Sequence, residues 1–278
     1  MIIQSNEIED IQIPDGGVMR LHVVRPAGSG RFPGVLFFSE IYQVTDPIRR
    51  LAAMVAGQGY LVAIPEVYHE YESPGAVLRY DQAGADRGNA LKTTKTVAAF
   101  DADAKLGLAA LSRNAACTGR LATMGVCLGG HLAYRAALNP SVSAAACFYA
   151  TDIHSGTLGA GKADDSLARM NELRAETLFV WGRQDPHVPF AGRQTIRARL
   201  EEVGARYEWH GSECRPCVST RRGAALRPCA IYPVDRLDAR DVSADALVLS
   251  RNGAERFQEA SAVRPIEPFC QWSRRTRS

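Results

Sequence analysis

No apolar run in the 278 residues reaches the roughly 18 that a membrane-spanning helix needs. Residues 1–16 lack the basic-then-apolar plan of a secretory signal and carry Glu7, Glu9, Asp10 and Asp15 instead. Charge of one sign is scarce: 33 Lys plus Arg against 30 Asp plus Glu leave +3, too little for a general nucleic-acid or membrane binder. Internal repeats and low-complexity segments are missing. So is an even cysteine set: there are seven, and Cys117, Cys127 and Cys147 lie in or beside apolar segments and read as reduced thiols, not a disulfide framework. With 46% apolar residues the chain can bury a sizeable core. The expectation is a cytoplasmic protein whose partners must be argued from a site.

What is present changes abruptly near residue 213. The last 65 residues hold 12 Arg, no Lys, seven acidic residues and Cys214, Cys217, Cys229 and Cys270, and carry +5, whereas residues 1–213 carry −2. This predicts a domain over 1–213 and an atypical Arg/Cys-rich tail over 214–278, too weakly periodic for a second domain. The four tail cysteines are zinc-ligand types, but intervals of 2, 11 and 40 residues match no common zinc module, so no metal is expected.

Within 1–213, short apolar runs alternate with helical patterns. Residues 20–25 alternate as an early strand; 34–38, 60–65, 120–126, 144–150 and 177–181 read as buried strands, and 207–209 begin one more. Asp46 before Pro47 reads as an N-cap, opening a helix that turns Ile48, Leu51, Met54 and Val55 inward and ends at Gly57 and Gly59. Val97, Phe100, Ala104, Leu108 and Leu111 predict one long amphipathic helix over 91–112. Further helices are predicted over 128–138, 166–173 and 190–203, and residues 68–87 as a polar loop or lid. Alternating strands and helices imply an α/β fold, a mostly parallel sheet with helices on both faces.

At the end of the strand over 120–126 stands Gly125-Val126-Cys127-Leu128-Gly129-Gly130, followed at once by a helical run. Strand, tight turn and helix are the context of a nucleophile elbow, whose flanking glycines let backbone pack around a strained central residue. A cysteine there is intrinsically nucleophilic, and the helix N-terminus favours its anion. The other reading is a small buried thiol in a Gly-rich turn. Leu128 N–H is one candidate oxyanion donor and Ile41 N–H, after the strand over 34–38, the second. Glu40 beside it is either a partner for the thiol or a solvated loop carboxylate. Asp185, after the strand over 177–181, is either the acid member, as its place in the strand order suggests, or an ordinary turn aspartate before Pro186.

Glu40-Ile41-Tyr42, Gln58-Gly59-Tyr60 leading to Pro65, Gly125-x-Cys127-x-Gly129-Gly130 and Gly182-x-x-Asp185-x-x-Val188-Pro189 together resemble the dienelactone hydrolase family, which is carboxymethylenebutenolidase-like, within the α/β-hydrolase superfamily. The resemblance implies the α/β-hydrolase fold and a Cys-His-Asp triad that hydrolyses enol-lactones or small carboxylic esters through an acyl-enzyme. Cys127 would be the nucleophile and Asp185 the acid, with no metal or organic cofactor and a small-molecule substrate as partner. It further implies that Glu40 contacts the resting thiol and helps form the thiolate when substrate displaces it.

The family's base, a histidine in a loop after the last strand, falls here in the register of Glu213-Cys214-Arg215-Pro216, and no histidine follows His210. His210 is the nearest candidate but several residues early; His187 and His131 read as surface or structural histidines. Residues 214–231, back-translated and read one nucleotide later, can give Gly-His-Ala-Phe with the histidine in the register of Pro216, so the tail reads as out of frame and poorly packed. Arg87, Tyr42, Asp152 and His154 lie on loops that could line a pocket. The rival functions are a non-catalytic or inactivated member without its base, and a thiol-based redox protein pairing Cys127 with a tail cysteine.

Overall fold

The computed structural model describes residues 2–14 and 16–212. Eight strands form one sheet: β1 (Ile3–Gln12), β2 (Val18–Pro26), β3 (Phe32–Phe38), β4 (Leu61–Pro65), β5 (Cys117–Val126), β6 (Val142–Phe148), β7 (Glu176–Gly182) and β8 (Tyr207–Ser212). Their order is β1-β2-β4-β3-β5-β6-β7-β8, antiparallel at β1–β2 and β2–β4 and parallel elsewhere. The expected mostly parallel sheet is present.

Strand alternation feeds two cores. Leu36, Phe38, Leu121, Phe179 and Trp181 pack beneath α2 (Gln82–Thr94), α3 (Val97–Arg113), α4 (Leu128–Ala136) and α5 (Phe190–Glu202). Val35, Phe37, Met124, Leu178 and Val180 face the other way, in the cluster that holds α1 (Asp46–Gly57). Continuous apolar runs are what a sheet covered on both faces requires, and each fully buried large apolar side chain contributes about 1.5–3 kcal/mol.

Four local expectations are corrected. The first strand, β1, is mostly polar; it is held by its ladder to β2 and by cross-strand pairs, Asp10 with Arg20 at 2.8 Å and Glu7 with Arg25 at 2.9 Å. The long helix over 91–112 is two helices, broken where Lys95 turns to ψ 138° and Thr96 caps α3 by accepting Ala99 N–H at 3.1 Å. Burial of Lys95 decides the break: its Nζ bonds Val67 O at 2.9 Å, Glu70 at 2.6 Å and Asp103 at 2.5 Å. The N-cap of α1 is Thr45, not Asp46, and its hydroxyl bonds Tyr80 Oη at 2.8 Å instead of the helix. Met54 is 49% exposed, and Ala52 takes the inner face of α1.

The loop or lid expected over 68–87 gives way to helix after Asp81, which caps α2 by accepting Gly84 N–H at 2.9 Å. Residues 168–172 form a 3-10 helix inside the expected 166–173. The tail expected to be out of frame and poorly packed, its four cysteines and the register of the family histidine lie outside the described residues.

Candidate active site

The elbow at the end of β5 is built from close backbone approach. A Cβ on Gly125 would lie 1.9 Å from Gly129 O, one on Gly129 2.1 Å from Phe38 O, and one on Gly130 2.6 Å from Phe148 O. Only glycine fits at these three positions. Cys127 sits between them at φ 59° and ψ −121°, a left-handed conformation costly for any residue with a Cβ. Its N–H donates to Phe148 O at 2.9 Å, and its carbonyl accepts Gly130 N–H at 3.0 Å and Thr151 N–H at 3.4 Å. These bonds hold the strained residue at the N-terminus of α4.

The partly exposed Cys127 thiol is ringed by enough protein that burial pushes it up to about 12; Glu40 adds in the same direction, while Leu128 N–H and Lys92 act the other way. Glu40 is not the solvated loop carboxylate of one sequence reading. It is buried and pushed up to about 7 by burial, opposed by a hydrogen bond from Tyr80 Oη. Tyr80 also meets Thr45 Oγ1 at 2.8 Å, and its ring lies 4.5 Å from that of Tyr42. Ile41 follows Glu40 in the turn closed by Gln43 N–H on Glu40 O at 3.3 Å, and Gly88 of α2 packs against Ile41 O.

Asp185 lies beyond β7 and is buried. Its Oδ1 accepts His187 N–H at 2.8 Å, whereas its Oδ2 is buried with no hydrogen-bond partner among the described residues. Burial holds its carboxyl above the usual range. Arg193 nearby spends its guanidinium on backbone, bonding Val188 O at 2.6 Å and Gly182 O at 3.3 Å.

The candidate histidines stand elsewhere. His210 pairs with Val180, which pairs with Phe148, which pairs with Val126. At about 4.8 Å per strand, His210 is about 14 Å across the sheet from the elbow. Its Nε2 lies 3.4 Å from Glu208, and it shares the α1 face with Val180. His131 is fully buried, bonded to Ser166 Oγ at 2.6 Å and pushed down to about 4 by burial. His187 is exposed, and His154 lies where a Cβ on Gly192 of α5 would be.

Of the loop residues, Asp152 adopts φ 67° and holds Lys92 at 3.0 Å, one residue past the Thr151 that bonds the elbow. Arg87 pairs with Glu72 at 2.7 Å. Tyr80 and Lys92 are the site residues that sequence reasoning missed, since neither sits in a motif.

Among the described residues, His69, Glu70 and Asp103 could meet a metal ion. The Lys95 ammonium already fills that position, 2.6 Å from Glu70 and 2.5 Å from Asp103, so the cluster reads as a buried ion-pair network. Among the described residues Cys117, Cys127 and Cys147 are free cysteines. No helix among the described residues is long and apolar enough to cross a membrane.

The sequence model described as "Dienelactone hydrolase family" matches residues 19–211. The Saccharomyces cerevisiae protein named "Putative carboxymethylenebutenolidase" is 42% identical over 73% of this chain and 77% of its own length. The Pseudomonas putida protein named "Carboxymethylenebutenolidase" is 30% identical over 67% of this chain and 74% of its own. Among solved structures, the Klebsiella pneumoniae "Putative Dienelactone Hydrolase" superposes with a TM-score of 0.64 at 24% identity, covering 78% of this chain and 88% of that one. That likeness shows the α/β-hydrolase fold.

Proposed function

The chain belongs to the dienelactone hydrolase family, and from that premise we propose that it cleaves enol-lactones or small carboxylic esters with Cys127 as a thiolate nucleophile. Membership makes it a hydrolase; the nucleophile is our reading, carried by one observation. Cys127 is held at φ 59° between glycines that admit no Cβ, at a helix N-terminus.

In this reading Glu40 accepts the thiol proton, and sulfur attacks the ester carbonyl. The oxyanion is met by the N–H groups of Leu128 and Ile41. Collapse expels the alcohol or enol oxygen, which takes the proton back from Glu40, and leaves an acyl thioester on Cys127. Water then needs a base oriented by Asp185. The unpaired Asp185 Oδ2 is where such a base would dock; His210, on the neighbouring strand, stands within β8 on the α1 face and not in a loop beyond it.

This favours a second, narrower reading. The chain keeps the acylation half of the reaction and lacks an efficient second half, because the triad histidine is missing and residues 214–278 are an out-of-frame tail. The gene's nucleotide sequence tests the tail directly: an in-frame Gly-His-Ala-Phe after one inserted or deleted nucleotide is the expected result.

Rapid mixing with p-nitrophenyl acetate and a panel of enol-lactones tests the chemistry. The expected result is a burst equal to the enzyme concentration followed by slow turnover, both absent in Cys127→Ala. Hydrolysis unaffected by Cys127→Ala would overturn the proposal.

A further inference from the structure

The 66–81 segment runs between β4 and α2. It is fastened to the loop after β3 by Leu78 N–H on Tyr42 O at 3.1 Å, Tyr68 N–H on Gln43 Oε1 at 3.3 Å and Gln43 Nε2 on Ala76 O at 3.5 Å. These anchors bring Tyr80 over the buried Glu40, where its phenol donates to the carboxylate and meets Thr45 Oγ1. Burial holds the Tyr80 phenol above its usual range, so it stays a donor. Cys127 and Tyr42 feel the charge of Glu40 from the elbow and from its own loop; Lys92 and Asp152 face the thiol from α2 and from the loop after β6, and Asp81 faces Tyr42.

We propose that Tyr80 is the positioning residue for Glu40: its phenol fixes the carboxylate beside Cys127 and sets how strongly that carboxylate takes the thiol proton. The inference rests on the reading of Cys127 as nucleophile and Glu40 as its proton acceptor. The step is a proton transfer between neighbours, S–H plus carboxylate giving thiolate plus carboxylic acid, and needs no other reactant. A hydrogen bond to the charged form of Glu40 weakens it as a base. Losing the Tyr80 donor therefore makes it a stronger one.

Two interacting groups titrate as a pair, which gives the test its shape. While Glu40 is protonated, the thiolate fraction rises with pH and does not depend on the basicity of Glu40. Once Glu40 ionises, near pH 7, the fraction levels off at a plateau set by competition between carboxylate and sulfur for one proton.

The experiment follows iodoacetamide labelling of the Cys127 peptide by mass spectrometry from pH 5 to 10 in the full chain, for wild type, Tyr80→Phe, Glu40→Gln and the double variant. In Tyr80→Phe the acidic branch should coincide with wild type, the break should move up by about one pH unit and the plateau should rise about tenfold, the scale of one charge-assisted hydrogen bond. In the Glu40→Gln background the break should vanish and Tyr80→Phe should change nothing. A Tyr80→Phe profile equal to wild type, or an equal displacement of all branches in both backgrounds, overturns the proposal, the latter because it marks a merely structural role. The readout is labelling, not turnover, so persistent ester hydrolysis in Cys127→Ala would sink the nucleophile reading separately.

Discussion

Replacing Lys95 by methionine removes an ammonium from the joint between α2 and α3 while keeping a similar apolar stem. Lys95 is fully buried, and its Nζ bonds Asp103 at 2.5 Å, Glu70 at 2.6 Å and Val67 O at 2.9 Å. In the variant Glu70, a third exposed, turns to water, but Asp103, 4% exposed at its side chain, keeps only His69 at 3.0 Å. Breaking a buried pair in this way costs about 3–5 kcal/mol, because one charge stays desolvated and uncompensated. For a domain of this size each kcal/mol lowers Tm by about 2–4 °C, so the expected loss is roughly 6–20 °C. Urea unfolding followed by circular dichroism gives the free energy, and Lys95→Met/Asp103→Leu should recover much of it, since an apolar pair of similar volume replaces the ions. A loss below about 1 kcal/mol, the scale of an exposed pair, would refute the reasoning.

Three further outcomes are expected. Gly125→Ala puts a Cβ 1.9 Å from Gly129 O and should cost about 3 kcal/mol, read by urea unfolding, together with the selective labelling of Cys127. Glu40 holds its proton to about pH 7 in the fold and to about 4.5 when unfolded, so the native state binds more protons across that window. Stability therefore falls as pH rises from about 4.5 to about 7 and is flat above; Glu40→Gln should abolish the fall and stabilise the protein at pH 8 by about 3 kcal/mol, measured as Tm against pH. His210→Ala should leave the burst amplitude with p-nitrophenyl acetate unchanged, because the imidazole stands on the α1 face three strands from the elbow.

The parallel strands were legible because a sheet buried on both faces needs unbroken apolar runs, and GVLFF at 34–38 or TLFVW at 177–181 has few other uses. The elbow was legible because three glycines are forced by backbone contacts a Cβ would violate. β1 was not: its residues are mostly polar, and beside its ladder to β2 it is held by Arg20 and Arg25 of that strand. The break at Lys95 escaped helical periodicity because tertiary burial of one ammonium, not local propensity, ends α2. Tyr80 and Lys92 reach the site only through loop placement and helix packing, which leave no pattern along the chain. The family's base could not be placed from the sequence, since no histidine follows His210.

The central claim, a thioester formed on Cys127, is tested most directly by acid-quenching the protein milliseconds after mixing with p-nitrophenyl acetate and mapping the acetyl group by peptide mass spectrometry. The account predicts one acetyl group per chain, on the peptide containing Cys127, forming as fast as the burst and absent in Cys127→Ala. An acetyl group on another residue, or hydrolysis with no adduct that survives unchanged in Cys127→Ala, would contradict it.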